Sequence, residues 1–372
     1  MKWVFWIAAA FIAYTYVGYA GWLRLRMLWR LQPVRRGANT PPVSIVMVVR
    51  NEEEVLEAKL QNLLSLDYPA FQVVVVSDGS TDRTESILQK YTSDARLQVV
   101  LQQFSRGKAS GLNDAIALTA GEIVVFTDAR QKIEPEALRL LAENFVEPEV
   151  GCASGELMLG DPANGESSQG LSLYWRIEKQ VRELESASGS VVGATGALYA
   201  VRRELLTLVP EGTILDDVYL PMQVVRQGKR VVFDARARAW DSPNLGGERE
   251  FSRKVRTLSG NYQLLQLAPW LLTSANPIRF EFVSHKLLRL AVPFALAVLL
   301  LASLELSGGF YRTVLVLQLV FYGLGALALG RILQRGKLAR VSDAAGTFVL
   351  LNGAAVAALF NFVTRKKAAW TR

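Results

Sequence analysis

The 372-residue chain holds one cysteine, Cys152, and one histidine, His285. A lone cysteine excludes a disulfide framework and a thiolate metal site. With one histidine, a serine–histidine triad or a histidine-rich zinc site finds no support, and acid–base chemistry falls to carboxylates. Two nucleotide-binding signatures are also missing. Position 102, five before Gly107, is glutamine and Lys108 is followed by Ala109, so Gly107-Lys108 is not a Walker loop. No Gly-x-Gly-x-x-Gly follows the first predicted strand, which disfavours dinucleotide binding. Aromatics do not interleave the basic residues, which argues against a nucleic-acid partner. There is no internal repeat and no low-complexity tract.

Apolar residues are plentiful, at 51% of the chain. Uncharged runs cover residues 3–23, 290–304, 313–330 and 344–364. A membrane-spanning helix needs about 20 mostly apolar residues. The first and last runs meet that length, and the middle pair reads as a helical hairpin turned at Ser307-Gly308-Gly309. Arg24, Arg26, Arg30, Arg35 and Arg36 follow the first run, and Arg331, Arg335, Lys337 and Arg340 follow the hairpin. Such clusters mark cytoplasmic flanks and favour anionic lipid headgroups. Positive charge that follows the first run, rather than preceding it, is unlike a cleaved signal peptide. The large polar middle is therefore expected in the cytoplasm. A spanning final run would leave Arg365-Lys366-Lys367 outside, against the same charge bias, so the topology of that run stays open.

Between the runs, strands alternate with helices, which predicts an α/β, doubly wound, mostly parallel sheet. Residues 43–49 read as a buried strand. Val73-Val74-Val75-Val76 is apolar on both faces and stops at Ser77-Asp78-Gly79-Ser80-Thr81-Asp82. That places Asp78 at the carboxyl end of a parallel strand, where open α/β sheets bind ligands. Asp128 ends the predicted strand 122–126 on the same edge, and Asp216-Asp217 opens a later helix. Small residues at 191–197 suggest backbone that approaches a ligand closely. Carboxylates around one crevice point to a hard cation, Mg2+ or Mn2+, bound together with phosphate oxygens. Lys108 is placed to contact phosphate or base. Residues 251–267 form an amphipathic helix with Arg253, Lys254 and Arg256 near its start, and lipid or diphosphate would each suit those charges. His285, beside Lys286 at the start of a span, reads as an interfacial anchor, and Cys152 as a small buried residue.

Taken in order, residues 43–53, Ser77-Asp78-Gly79-Ser80-Thr81-Asp82, Gly107-Lys108 with Leu112-Asn113, Thr127-Asp128-Ala129, Gly193-Ala194-Thr195-Gly196-Ala197 and Leu215-Asp216-Asp217 resemble the successive motifs of family 2 glycosyltransferases. Within that family they are similar to the membrane-embedded branch of cellulose, hyaluronan and poly-N-acetylglucosamine synthases. The resemblance covers residues 43–260 and the flanking spans. It implies a GT-A (Rossmann-like) domain at 40–250, a transmembrane helix at 1–30, interface helices at 251–286 and transmembrane helices at 287–372, in a multi-pass protein of a bacterial inner membrane.

The resemblance also implies an inverting transfer from a nucleotide sugar, usually UDP-linked, to a glycan in polysaccharide synthesis. The alternative is a single transfer to a lipid such as diacylglycerol or polyprenyl phosphate. Val49, Asn51, Glu52, Asp78, Lys108, Asp128 and Arg130 would bind the donor, with Asp78 reading the base. Asp217, with Asp216 beside it, would be the catalytic base; Thr195, Gly196, Arg253 and Arg256 would meet acceptor or diphosphate; Asp128 would hold the metal. Accessory export subunits belong to some polymerising systems, and no sequence feature names one here. The chain departs from the family pattern twice. Arg130 stands where the second Asp of Asp-x-Asp is expected, and Arg253-Lys254-Val255-Arg256-Thr257 stands where processive members have Gln-x-x-Arg-Trp.

Overall fold

Runs of β-branched residues set the sheet. In the computed structural model, which describes residues 1–160, 173–241, 247–330, 332 and 337–364, eight strands join in one sheet. They are β1 (Val43–Val49), β2 (Phe71–Asp78), β3 (Leu97–Gln102), β4 (Ile123–Phe126), β5 (Lys132–Ile133), β6 (Val150–Leu159), β7 (Tyr199–Arg202) and β8 (Arg230–Asp241), in the order β3-β2-β1-β4-β7-β6-β8-β5. Strands β3, β2, β1 and β4 run parallel. β7 is antiparallel to both β4 and β6, and β5 is antiparallel to β8. The mostly parallel sheet is as expected; β5 and β7 are additions that the hydrophobic pattern did not reveal.

Every residue of β1 is buried, because helices cover both faces. The two-residue alternation divides the core. Ile45, Met47, Val73 and Val75 pack with Leu56, Leu60 and Leu141 on one side, while Val46, Val48, Val74 and Val76 pack with Leu112 and Val218 on the other. From β1 the chain moves outward through β2 and β3, then returns to lay β4 on the opposite side of β1. This reversal opens a crevice at the carboxyl ends of β1 and β4.

Among the described residues, four helices are long and apolar enough to cross a membrane: Lys2–Arg26, Arg279–Glu305, Gly309–Leu329 and Leu338–Val363. The hairpin turn falls at residues 306–308, as its glycines suggest. Helix Gly247–Leu267 lies against the last of the four, with Val255, Leu258 and Tyr262 on Ala354 and Ala358. The expected loop at 160–165 beyond Gly160, together with Arg331, Arg335 and 365–367, falls outside the described residues.

Candidate active site

The turn after β2 is built around an enclosed carboxylate. Asp78 has no exposed surface. Its oxygens accept hydrogen bonds from Ser105 Oγ at 2.6 Å, Arg106 N–H at 2.6 Å and Gly107 N–H at 3.1 Å. Gly79 makes the approach possible: it has φ +60°, and a Cβ there would lie 2.4 Å from the Ser105 nitrogen. Asp78 therefore clasps the 105–107 segment in front of helix Lys108–Ala117. Asp78→Ala should weaken nucleotide binding about tenfold or more through loss of these charge-assisted bonds, measured by calorimetry.

Asn51 is the one non-glycine residue with positive φ among the described residues, at 54°. Asparagine tolerates this left-handed geometry, and its Oδ1 accepts the Thr81 N–H at 2.8 Å. Glu52 N–H donates to Thr84 Oγ1 at 2.9 Å, so the turns after β1 and β2 are stitched together. Val49 is 1% exposed and packs in the core, which leaves only its backbone for a donor.

Five of the expected residues, Lys108, Asp128, Asp216, Asp217 and Gly196, meet at the centre. Lys108 Nζ lies 3.0 Å from Asp128 Oδ1 and 3.2 Å from Asp216 Oδ1. Burial would lower the Lys108 pKa, but Asp128 and Asp216 outweigh it and hold the ammonium charged. Asp217 follows Asp216 at the start of helix Asp216–Arg226, and its Oδ2 accepts the Gly196 N–H at 3.2 Å. A Cβ at position 196 would press on Asp217 Oδ2 at 3.3 Å and lie in ordinary contact with Asp128 Oδ2 at 3.5 Å. Burial, and then the adjacent Asp216 charge, push Asp217 up to about 6; Lys108 opposes them. A base must be ionised to act. Activity should therefore rise with pH through about 6 and level off above it, as a pH–rate profile would record.

Arg130 reaches across to Glu52, with 3.8 Å between Nε and Oε2. Thr195 N–H donates to Ser154 Oγ at 3.1 Å, which fixes the loop that carries Gly196. Arg253 comes within 3.9 Å of Asp241, whose Oδ2 also accepts Gln131 Nε2 at 3.0 Å, so it borders the Asp128 loop. Arg256 is partly buried one turn further on, and no bond joins it to the central carboxylates among the described residues. Gly260 lets this helix close on Leu215, where a Cβ would come within 2.5 Å.

The sequence reading missed Lys59. Its ammonium, 3% exposed, donates to Thr127 Oγ1 at 2.9 Å and Gln131 O at 2.6 Å, on either side of Asp128. Thr127 Oγ1 in turn donates to Ala197 O at 2.8 Å. Burial pulls the Lys59 pKa down to about 7 against the pull of Asp128. A signal was present: Lys59 sits on the apolar stripe of Leu56, Leu60 and Leu63, where a lysine needs a buried partner. Lys59→Met keeps the stem but frees the loop, and should raise the donor KM about tenfold in steady-state kinetics.

The donor set suits a metal that arrives with its ligand. Asp128 presents a carboxylate whose side chain is 43% exposed. Among the described residues, no group of three His, Cys, Asp or Glu could hold a metal by itself. A Mg2+ or Mn2+ ion on Asp128 would need diphosphate oxygens and water to complete its shell.

The sequence of this domain and its fold have counterparts. Residues 44–208 match the family model described as Glycosyl transferase family 2. These residues are a family 2 glycosyltransferase domain. Poly-beta-1,6-N-acetyl-D-glucosamine synthase of Staphylococcus epidermidis is 23% identical over 234 residues, 61% of this chain and 56% of that protein. Beta-monoglucosyldiacylglycerol synthase of Synechocystis sp. is 30% identical over 192 residues, 50% of this chain and 40% of that protein. The chain thus spans about half the length of the curated relatives it matches. A mannosyltransferase from Pyrobaculum calidifontis, solved with GDP-Man and Mn2+, has the same fold at a TM-score of 0.75 and 23% identity, covering 98% of this chain and 99% of that one. The α/β domain with long apolar helices at both ends is accordingly GT-A-like.

Proposed function

We propose that the chain is an inverting membrane glycosyltransferase that moves a sugar from a nucleotide sugar to a glycan hydroxyl in polysaccharide synthesis. The observation that carries the reading is Asp217, held on the Gly196 N–H beside the Lys108–Asp128–Asp216 group. Asp217 takes the proton of the acceptor hydroxyl as that oxygen bonds to the anomeric carbon; the bond from that carbon to the diphosphate breaks, and its electron pair leaves with the diphosphate. Displacement from the opposite face inverts the anomeric centre. Lys108 and Arg130 bring positive charge toward the leaving group. A divalent ion on Asp128 would supply further neutralisation when bound. UDP-linked sugars are the first donor class and GDP-linked sugars the second. The basic flanks of the first apolar helix support a cytoplasmic catalytic domain.

A second reading, single transfer to a lipid, draws support from Thr257 at the place of the expected tryptophan and from the diacylglycerol synthase likeness. Product analysis separates the two in lipid nanodiscs supplied with UDP- and GDP-sugars. A ladder on a gel supports the glycan reading, and one organic-soluble product supports the lipid reading. Absence of either product with every donor would refute both.

A further inference from the structure

His285 is buried inside the protein. It is 1% exposed, and its ring nitrogens face two carboxylates, Nδ1 at 2.8 Å from Glu185 Oε1 and Nε2 at 3.0 Å from Glu178 Oε1. Each ring nitrogen thus has a carboxylate partner on the same helix. Both glutamates lie on helix Leu173–Ser188, and neither is among the residues expected to be functional. Burial alone would raise their pKa values, but His285 and, at Glu178, Arg289 hold both carboxylates below the usual range. Arg289 Nη1 donates to Glu178 Oε2 at 2.6 Å, with Arg182 Nε at 3.4 Å from Oε1.

The same group reaches the first apolar helix. Tyr19 O–H donates to Glu185 Oε1 at 2.7 Å. Arg26 pairs with Glu281 and donates to Ser188 Oγ at 2.7 Å. Tyr19 follows a π-helical turn, Tyr14–Gly18, and His285 sits within another, Val283–Leu287. The turns touch through Tyr14 Oη and Ser284 Oγ at 2.9 Å. A π-turn rotates the side chains that follow it and often marks a functional position. Here both turns serve one glutamate.

Glu185 also faces the catalytic loop. Its Oε2 accepts the Val192 N–H at 3.2 Å. Two residues on, Ala194 N–H donates to Asp217 O at 2.7 Å, and Gly196 N–H donates to the Asp217 carboxylate. We infer that Glu185, fixed by Tyr19 and His285 from two membrane-crossing helices, is a positioning residue that sets the 192–196 loop and through it the carboxylate of Asp217. The membrane helices are then part of the support for the base, not only an anchor. Asp78 and its nucleotide-side turn lie several strands away and do not share this network.

This inference rests on the proposed transferase reading for its kinetic consequence, but its structural consequence stands alone. The test uses the full chain in lipid nanodiscs, as wild type, His285→Ala, His285→Gln and Tyr19→Phe. Amide hydrogen exchange over residues 190–197 should rise about tenfold in His285→Ala, less in His285→Gln and Tyr19→Phe, with residues 73–82 unchanged. With an active donor, kcat should fall about tenfold at a donor KM within about twofold of wild type. The low-pH limb should move above about 6, because the Gly196 hydrogen bond favours ionised Asp217. His285→Gln, which keeps one donor, should partly restore kcat. Unchanged exchange at 190–197, or an equal rise at 73–82, would overturn the inference whether or not a donor is found. If His285→Ala does not fold, Tyr19→Phe decides: a selective rise at 190–197 supports the positioning role, and no rise overturns it.

Discussion

Asp217→Asn is expected to lower sugar transfer by about 10²–10⁴-fold while nucleotide affinity stays within about twofold. The amide matches the carboxylate in shape and can still accept the Gly196 N–H at its oxygen, so the loop has no reason to move. Only the ability to take a proton is lost. Binding should persist because the Asp78 clasp and the Asn51 turn belong to other strands. Asp216 does not substitute: it is 4% exposed and already paired with Lys108. The check is kcat from nucleoside diphosphate release set beside Kd from calorimetry. Loss of both together would remove Asp217 from the role of base.

Lys108→Met should have an effect of similar rank but a different signature. The ammonium lies between Asp128 and Asp216 and is a cause lowering the Asp217 pKa. Its removal leaves Asp128, Asp216 and Asp217 at one crevice with Lys286 as the remaining cation that lowers Asp217, and like charges raise one another's pKa. The low-pH limb should therefore move up from about 6, so that a rate measured at pH 7 falls further than one measured at pH 9. The donor diphosphate loses a positive partner as well, so kcat/KM should drop about 10²-fold or more. Added Mg2+ or Mn2+ should recover part of the loss by meeting Asp128 and the diphosphate. A uniform drop at every pH would mean that Lys108 does not tune Asp217.

The central strands and their order of chemistry were legible because each strand buried on both faces is a continuous apolar run that ends in small polar residues, as at Val76-Ser77-Asp78. The helix opening at Asp216-Asp217 was legible for a related reason, acidic residues in the first turn. What was hidden depends on partners distant in sequence. Asp78 appears in the sequence as a strand-end ligand group; only the fold brings Ser105, Arg106 and Gly107 onto it. β7 was hidden because Tyr199–Arg202 follows a stretch of small residues and needs β4 and β6 on either side to be a strand. His285 next to Lys286 has the look of an interface anchor until helix Leu173–Ser188 supplies Glu178 and Glu185. Lys59 was the one legible clue passed over, since its place on an apolar stripe already required a buried acceptor.

Nucleoside diphosphate release by the full chain in lipid nanodiscs, across UDP- and GDP-linked sugars with Mg2+ or Mn2+ present, is the most direct test of Asp217 as the base of a membrane glycosyltransferase. Wild type should turn over at least one donor at a rate that rises through about pH 6, and Asp217→Asn should bind that donor without turning it over. No turnover with any donor, or equal turnover by Asp217→Asn, would contradict it.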